Sequence, residues 1–275
     1  MAKKHITLTT ICYLIAVVFT FVFLFPLFWS LITSFKSYKD AFAWPPIFFP
    51  TIKLDNYISY LSQNSFLSYL KNSLVITLVS TLISMTVGVL AAYALVRGKV
   101  KGGNAMAMFM LASRFVPPVA TIIPVYMVYR NIGLYDTLTG LILLHLAMNV
   151  PYAVWMMRGF FQDIPIAIEE ASWIEGCSKL GGLLRIVIPM SRTGLAATSV
   201  LTLIFSWNDF LYAMSMAGAR AKTLPLSMGM YMNETGIEWQ MMATCAVLIL
   251  LPALIFSILV HRNLGAGLSF GAVKE

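Results

Sequence analysis

Six long apolar runs, separated by polar or charged stretches, set the pattern of this chain. They fall near 11–34, 70–96, 105–129, 137–158, 193–217 and 240–261. A helix needs roughly 20 residues to cross about 30 Å of hydrocarbon, and each run reaches that length. The pattern therefore predicts an all-α membrane protein of six transmembrane helices forming a single domain over 1–275. Span 3 carries Pro117-Pro118 and Pro124. Proline removes a backbone donor and clashes with the preceding turn, so this helix is expected to kink or unwind at those positions. Span 2 closes on Ala91-Ala92-Tyr93-Ala94, small residues that let neighbouring helices approach.

Composition supports lipid as the solvent. The chain is 59% hydrophobic and 11% charged, with mean hydropathy +0.82, outside the range of soluble domains. The net charge of +8 is explained better by topology than by a nucleic-acid partner, and none is expected. Arg97, Lys99 and Lys101 crowd one short loop with no acid beside them. The positive-inside rule then places both termini in the cytoplasm. The loop 36–71, with Lys36, Lys39, Lys53 and Lys71, runs against that bias. Lys3 and Lys4 precede the first run, but no small-residue cleavage site follows, so an uncleaved first span is expected. Cys12 and Cys245 fall in spans and Cys177 in an inner loop, which gives no disulfide framework.

The polar stretch 159–192, between spans 4 and 5, has a pattern of its own. Pro165 suits an early helical position and Gly176 a helix stop. Ala167, Glu170, Ala171 and Ile174 then share one helix face. Small alanines beside a carboxylate make a narrow, charge-tipped ridge that suits a groove on another protein. An amphipathic helix lying on the membrane is the alternative. Ser178 suits the cap of a second short helix running to Pro189.

The spacing of this stretch is specific. Glu170-Ala171-Ser172 is followed by three residues, Gly176, nine residues, then Ile186-Val187-Ile188-Pro189. It resembles the "EAA" loop of binding-protein-dependent ABC transporter permeases, with Ser172 in place of an Ala and Ile188 in place of a Leu. Asn56-Tyr57, Ala91-Ala92-Tyr93-Ala94, Pro117-Pro118 with Pro124, Trp207-Asn208 and the tail 267–274 are similar to sugar-type permeases, the subfamily of maltose-type and sugar-alcohol-type inner-membrane subunits. Gly181-Gly182 and Gly194 depart from that pattern.

The resemblance implies a cytoplasmic coupling helix seated in a cleft of an ATP-binding subunit. Glu170 would pair there with a basic residue and Gly176 would turn the chain. Ala167, Ala171, Ser172, Ile174, Ile186 and Pro189 complete the implied coupling loop. It further implies a second related permease, two ATP-binding subunits that hold ATP and Mg, and a periplasmic or lipid-anchored solute-binding protein. The setting is a prokaryotic inner membrane and the cargo a carbohydrate. In the chain itself a phosphate loop is missing. The nearest fragment is Gly98-Lys99, followed by Val100, without the earlier glycine that G-x-x-x-x-G-K-[S/T] needs. No bound cofactor and no covalent chemistry are expected here.

Polar groups inside the spans are the remaining candidates. Arg114 and Asp209 each cost about 2.5–3.5 kcal/mol at a helix centre, so each should face protein or water. Counted at about 1.5 Å per residue from the inner ends, they differ in depth by roughly 10 Å, which disfavours a direct bridge. His145, Asn149 and Tyr152 form one stripe on span 4, and Trp207, Asn208, Asp209 and Tyr212 cluster on the outer half of span 5. Two readings are open for both sets: an interhelical hydrogen-bonded seam, the commoner use, and a lining for a sugar path. His145 has no His or Cys at metal-ligand spacing, so no metal site is expected. The outer segment 218–239, with Lys222-Thr223-Leu224-Pro225, is either an ordered surface loop or, as the family implies, a contact for the solute-binding protein. An ion-gradient-driven carrier would need a titratable relay and has only Arg114, His145 and Asp209; it also leaves the 159–192 loop unexplained. A membrane-embedded hydrolase lacks a nucleophile–base or metal cluster.

Overall fold

A computed structural model of the chain describes residues 2–63, 65–98, 100–234 and 236–264, with side chains from 11 to 258. The 267–274 tail and Lys99 lie outside the described residues. In chain order the helices are α1 (Ala2–Ser34), α2 (Tyr38–Ala41), α3 (Asp55–Leu61), α4 (Phe66–Arg97), α5 (Gly103–Ser113), α6 (Pro118–Asn131), α7 (Leu138–Gln162), α8 (Ile166–Ile174) and α9 (Lys179–Gly182). A π-helical turn (Leu183–Val187) leads into α10 (Ile188–Met190), α11 (Arg192–Trp207), α12 (Leu211–Met216), α13 (Leu224–Ser227) and, after a two-stranded hairpin, α14 (Trp239–Leu264).

Four helices, α1, α4, α7 and α14, are long and apolar enough to cross a membrane unbroken. Two further crossings are bent pairs: α5 with α6 at 88°, and the segment Lys179–Met190 with α11 at 81°. Counting each bent pair as one span gives six. The break in span 3 covers 114–117, with Pro118 in the first turn of α6. Pro124 lies inside continuous α6, which corrects the expectation of a second break there. One lost backbone bond is tolerated in a membrane helix whose other groups stay paired. Span 5 is shorter than its apolar run suggests: α11 stops at Trp207, and α12 follows after Asn208-Asp209. In the other direction, α7 runs past the expected inner end at 158 because Phe161 is fully buried in the core.

The sequence pattern predicts one domain; by contacts the chain divides into two compact units. The first comprises Met1–Phe66 and Ser227–Leu250. Every side chain of α1 from 11 to 28 is exposed. The last carbonyls of a helix lack intrahelical partners, and Asn56 supplies them: its Nδ2 donates to the carbonyls of Ser34 at 2.8 Å and Lys36 at 2.9 Å. Tyr57 OH and Ser34 Oγ are 2.7 Å apart, so the Asn56-Tyr57 pair ties α3 to the end of α1. Lys36 is buried with its ammonium 4.0 Å from the Trp29 ring. Burial pushes its pKa down, partly opposed by Asp40.

The second unit comprises Leu67–Leu226 and Leu251–Glu275. One core cluster joins Met85, Val89 and Ala92 of α4 to Ala153, Met157 and Phe161 of α7 and to Leu183 and Val187. A Cβ on Gly88 would lie 2.5 Å from that of Ala153, so the close approach of α4 and α7 needs glycine there. A second cluster joins Ile76, Leu141, Leu144, Tyr212, Met216 and Ala221. Just before α7, Asp136 adopts φ 56°. Its carboxylate accepts the amides of Gly218, Ala219, Arg220 and Ala221 at 2.8–3.2 Å. Burial works against ionisation, but these amides outweigh it and hold the carboxyl below the usual aspartate range.

Asp136→Ala removes the acceptor for these amides and should lower stability by about 1–3 kcal/mol, at the lower end because the site is partly exposed. The carboxylate's contribution is complete above an ordinary aspartate pKa of about 3.9 and is lost as pH falls through the depressed native value. Thermal unfolding of the purified protein should therefore show the gap between wild type and variant closing on acidification.

Candidate functional site

The 159–192 segment is built outward from one ion pair. Glu169, in the first turn of α8, is fully buried. Arg97 Nε donates to its Oε1 at 2.5 Å, and Tyr93 OH donates to its Oε2 at 3.0 Å. Arg97 Nη2 also donates to the carbonyls of Ile164 at 2.7 Å and Phe161 at 3.2 Å. Residues 93 and 97 are one helical turn apart on α4, so a single face grips both the end of α7 and the start of α8. Ser172 Oγ donates to the Glu169 carbonyl at 2.7 Å. Gly176 has φ +92°, a left-handed conformation that glycine adopts without a Cβ penalty, and the chain reverses there. Ser178 Oγ then accepts the Gly181 amide at 3.1 Å and caps α9, so the helix forms despite Gly181-Gly182. At the exit, a Cβ on Gly194 would lie 2.3 Å from the Phe160 ring; close packing on α7 accounts for glycine at that position.

What the loop shows to its surroundings is the opposite face of α8. Ala167, Glu170 and Ala171 are exposed, and Ile174 is 89% exposed. Pro189 is exposed and Ile186 half-buried. Ser172, which the resemblance places in the coupling loop, is buried and lies away from the ridge. Glu169 escaped the sequence reading, which fixed on Glu170. The available signal was Tyr93 and Arg97 four residues apart at the inner end of span 2.

A polar seam runs between α7 and α11. His145 Nε2 lies 3.3 Å from Asp209 Oδ2. Asp209 also accepts the amides of Tyr212 at 3.3 Å and Ala213 at 3.1 Å, capping α12. Asn149 Nδ2 donates to Ser206 Oγ at 2.7 Å, which in turn lies 3.2 Å from Ser80 Oγ of α4. Tyr152 meets Phe205 edge-on, with centroids 5.4 Å apart. The Arg114 guanidinium sits over both rings, 4.6 Å from Tyr152 and 4.5 Å from Phe205. Arg114 and Asp209 thus have separate partners.

Two expectations need correction. Trp207 is 1% exposed and packs edge-on to Phe256, so its ring offers no stacking face; the apolar indole is used in the core. Tyr212 is likewise buried, and only Asn208 of that cluster is exposed. In the outer segment, Thr223, Leu224 and Pro225 are buried and Lys222 is half-buried, which removes most of the proposed contact with a binding protein. Asn72 Nδ2 donates to the carbonyls of Arg220 and Lys222, and the Leu224 amide donates to Ser73 Oγ, drawing that strand of chain into the bundle.

The second unit, with its broken and unbroken membrane helices and a backed, outward-facing helix between α7 and α11, has the form of a membrane transport subunit. The chain belongs to the family of binding-protein-dependent transport system inner membrane components, whose model matches residues 84–269. It is accordingly a multi-pass inner-membrane protein. It is 33% identical, over 94% of its length and 92% of the relative's, to a probable ABC transporter permease protein of Sinorhizobium fredii. It is 30% identical, over 91% of its length and 89% of the relative's, to the sulfoquinovosyl glycerol transport system permease protein of Agrobacterium fabrum. Among solved structures, a chain of a bacterial ABC transporter involved in import of the acidic polysaccharide alginate shares the fold, with TM-score 0.76 and 21% identity over 93% of this chain and 96% of that one.

Breaking the buried pair should be costly in a way that the exposed ridge is not. Glu169→Gln leaves Arg97, 10% exposed, without its counter-ion and should destabilise by about 3–5 kcal/mol. Glu170→Gln, on the open side of the same helix, should change stability by no more than about 0.5 kcal/mol. Thermal unfolding of both variants in detergent checks the contrast.

Proposed function

We propose that the chain is one of two permease subunits of an ATP-driven carbohydrate importer, and that α8 is the coupling helix. Its partners are a second related permease, two cytoplasmic ATP-binding subunits carrying ATP and Mg, and an external solute-binding protein. The observation that carries this reading is the exposed ridge of Ala167, Glu170, Ala171 and Ile174, backed by a buried ion pair. A nine-residue helix is too short to hold its shape alone. Fixed to α4 through Arg97 and Tyr93, it can transmit a push instead of absorbing it. Closure of the ATP-binding subunits would displace α8, and the shared core of α4, α7 and the π-helical turn would carry that displacement into the spans. The bundle would then alternate between outward and inward openings. The carbohydrate assignment rests on the likeness to sugar-type permeases and on the sugar glycoside named for the Agrobacterium relative. The seam of His145, Asn149 and Tyr152 carries imidazole, amide and hydroxyl groups of the kind a sugar rim uses, but His145 and Asn149 are buried and bonded to Asp209 and Ser206 and would have to exchange those partners for solute. Hydrolysis belongs to the partner subunits; this chain performs no covalent step.

Two experiments test the reading. Glu170→Lys reverses the charge on the ridge, and Gly176→Val forces a β-branched residue to positive φ. Both variants should reach the membrane, lose uptake at least tenfold, and retain less ATP-binding subunit on purification; normal uptake in both would sink the coupling assignment. For orientation, with Cys12, Cys177 and Cys245 replaced, right-side-out vesicles should react with an impermeant maleimide at Ala219→Cys and not at Ser178→Cys. Reversed labelling would overturn cytoplasmic placement of the loop.

A further inference from the structure

We propose that Arg114 is a subsite for an anionic group on the transported solute, so that the cargo is a carbohydrate bearing a carboxylate, sulfonate or phosphate ester. The inference rests on the permease reading above. A guanidinium within a membrane span is costly and is ordinarily matched by an acid or by polar donors and acceptors. The Arg114 guanidinium has no hydrogen bond and no carboxylate partner among the described residues. The acids of the second unit that could serve are engaged elsewhere: Asp209 with His145 and the α12 amides, Glu169 with Arg97, and Asp136 with the 218–221 amides.

The setting is that of a prepared site. Arg114 ends α5, and the chain leaves helical geometry from there to Pro118. Irregular backbone at membrane depth is found where it faces protein or a water-filled cavity. Tyr152 and Phe205, from two other helices, pack against the guanidinium. The two rings stand edge-on to each other, 84° apart, so they wall the guanidinium from two sides, and its planar fork of N–H donors has no hydrogen-bond partner among the described residues. That planar fork matches a carboxylate, sulfonate or phosphate in a bidentate manner. The C-terminal dipole of α5 helps to hold the positive charge, but it provides nothing for those donors. Asn149 and His145, on the same face of α7 as Tyr152, are buried and bonded to Ser206 and Asp209, so the group left for a solute at this place is the Arg114 guanidinium.

The test uses cells carrying the complete transporter with its binding protein. Uptake is measured for labelled glucuronate- and galacturonate-containing disaccharides, a sulfonated glycoside, and the matching neutral disaccharides. The expected result is transport of at least one anionic member. Arg114→Gln should reduce that transport at least tenfold while leaving complex yield, and any neutral uptake, unchanged; Arg114→Lys should restore part of it. Transport confined to neutral sugars, with Arg114→Gln harmless, overturns the anion subsite and leaves the carbohydrate reading standing. Equal loss of anionic and neutral uptake, or loss of complex yield in Arg114→Gln, also overturns it, the latter by marking Arg114 as a partner for an acid on the second permease. If no carbohydrate of either charge is carried, the permease reading for sugars fails, and this inference with it.

Discussion

Glu169 has no contact with solvent, and its carboxylate is bonded to Arg97 at 2.5 Å and to Tyr93 at 3.0 Å. A carboxylate stripped of water is stable only when such partners replace the water, so this contact fixes where α8 can lie. The same guanidinium holds the carbonyls of Phe161 and Ile164, just where α7 ends and the chain turns toward α8. One side chain on α4 therefore sets the register of three elements. With Glu169 turned inward, the periodicity of α8 places Ala167, Glu170, Ala171 and Ile174 outward. A loop between two membrane spans becomes a rigid projection.

A related constraint governs the spans themselves. Polar groups surrounded by hydrocarbon must find each other or face water. His145 with Asp209, and Asn149 with Ser206 and Ser80, meet that need between α7, α11 and α4. Asp209 does so while capping α12, which is why span 5 breaks at Asn208-Asp209 when its apolar run continues. The break in span 3 has a different origin, the missing donors and fixed φ of Pro117-Pro118. Both breaks lie beside the seam, so the irregular backbone of the bundle gathers where side-chain polarity is highest.

Much of this was legible in the sequence. Length and hydropathy located the apolar helices, and the i, i+3, i+4, i+7 spacing identified the outward face of α8. What stayed hidden depends on partners distant in the chain. Two adjacent glutamates look alike in sequence, yet Glu169 is buried and Glu170 exposed, because only the first meets Arg97, 72 positions earlier. Trp207 was open to two readings, seam or path lining, and nothing local revealed that Phe256 would pack against it. The Lys222-Thr223-Leu224-Pro225 segment looked like a surface loop, since the amide of Asn72 and the hydroxyl of Ser73 that draw it inward lie about 150 residues away. Asp136 carried no motif at all; its role follows from a positive φ and four amides brought to it by the fold.

The central claim is that the face of α8 opposite Glu169 is the surface on which an ATP-binding subunit sits. Accessibility of Ala171, exposed at the middle of that face, tests it most directly. In a transporter lacking other reactive cysteines, Ala171→Cys is treated with a soluble maleimide in the assembled complex and again after the ATP-binding subunits are stripped away. The account predicts slow labelling in the assembled complex and labelling at least tenfold faster once those subunits are removed. Equal and rapid labelling in both would contradict it, because the ridge would then face only water.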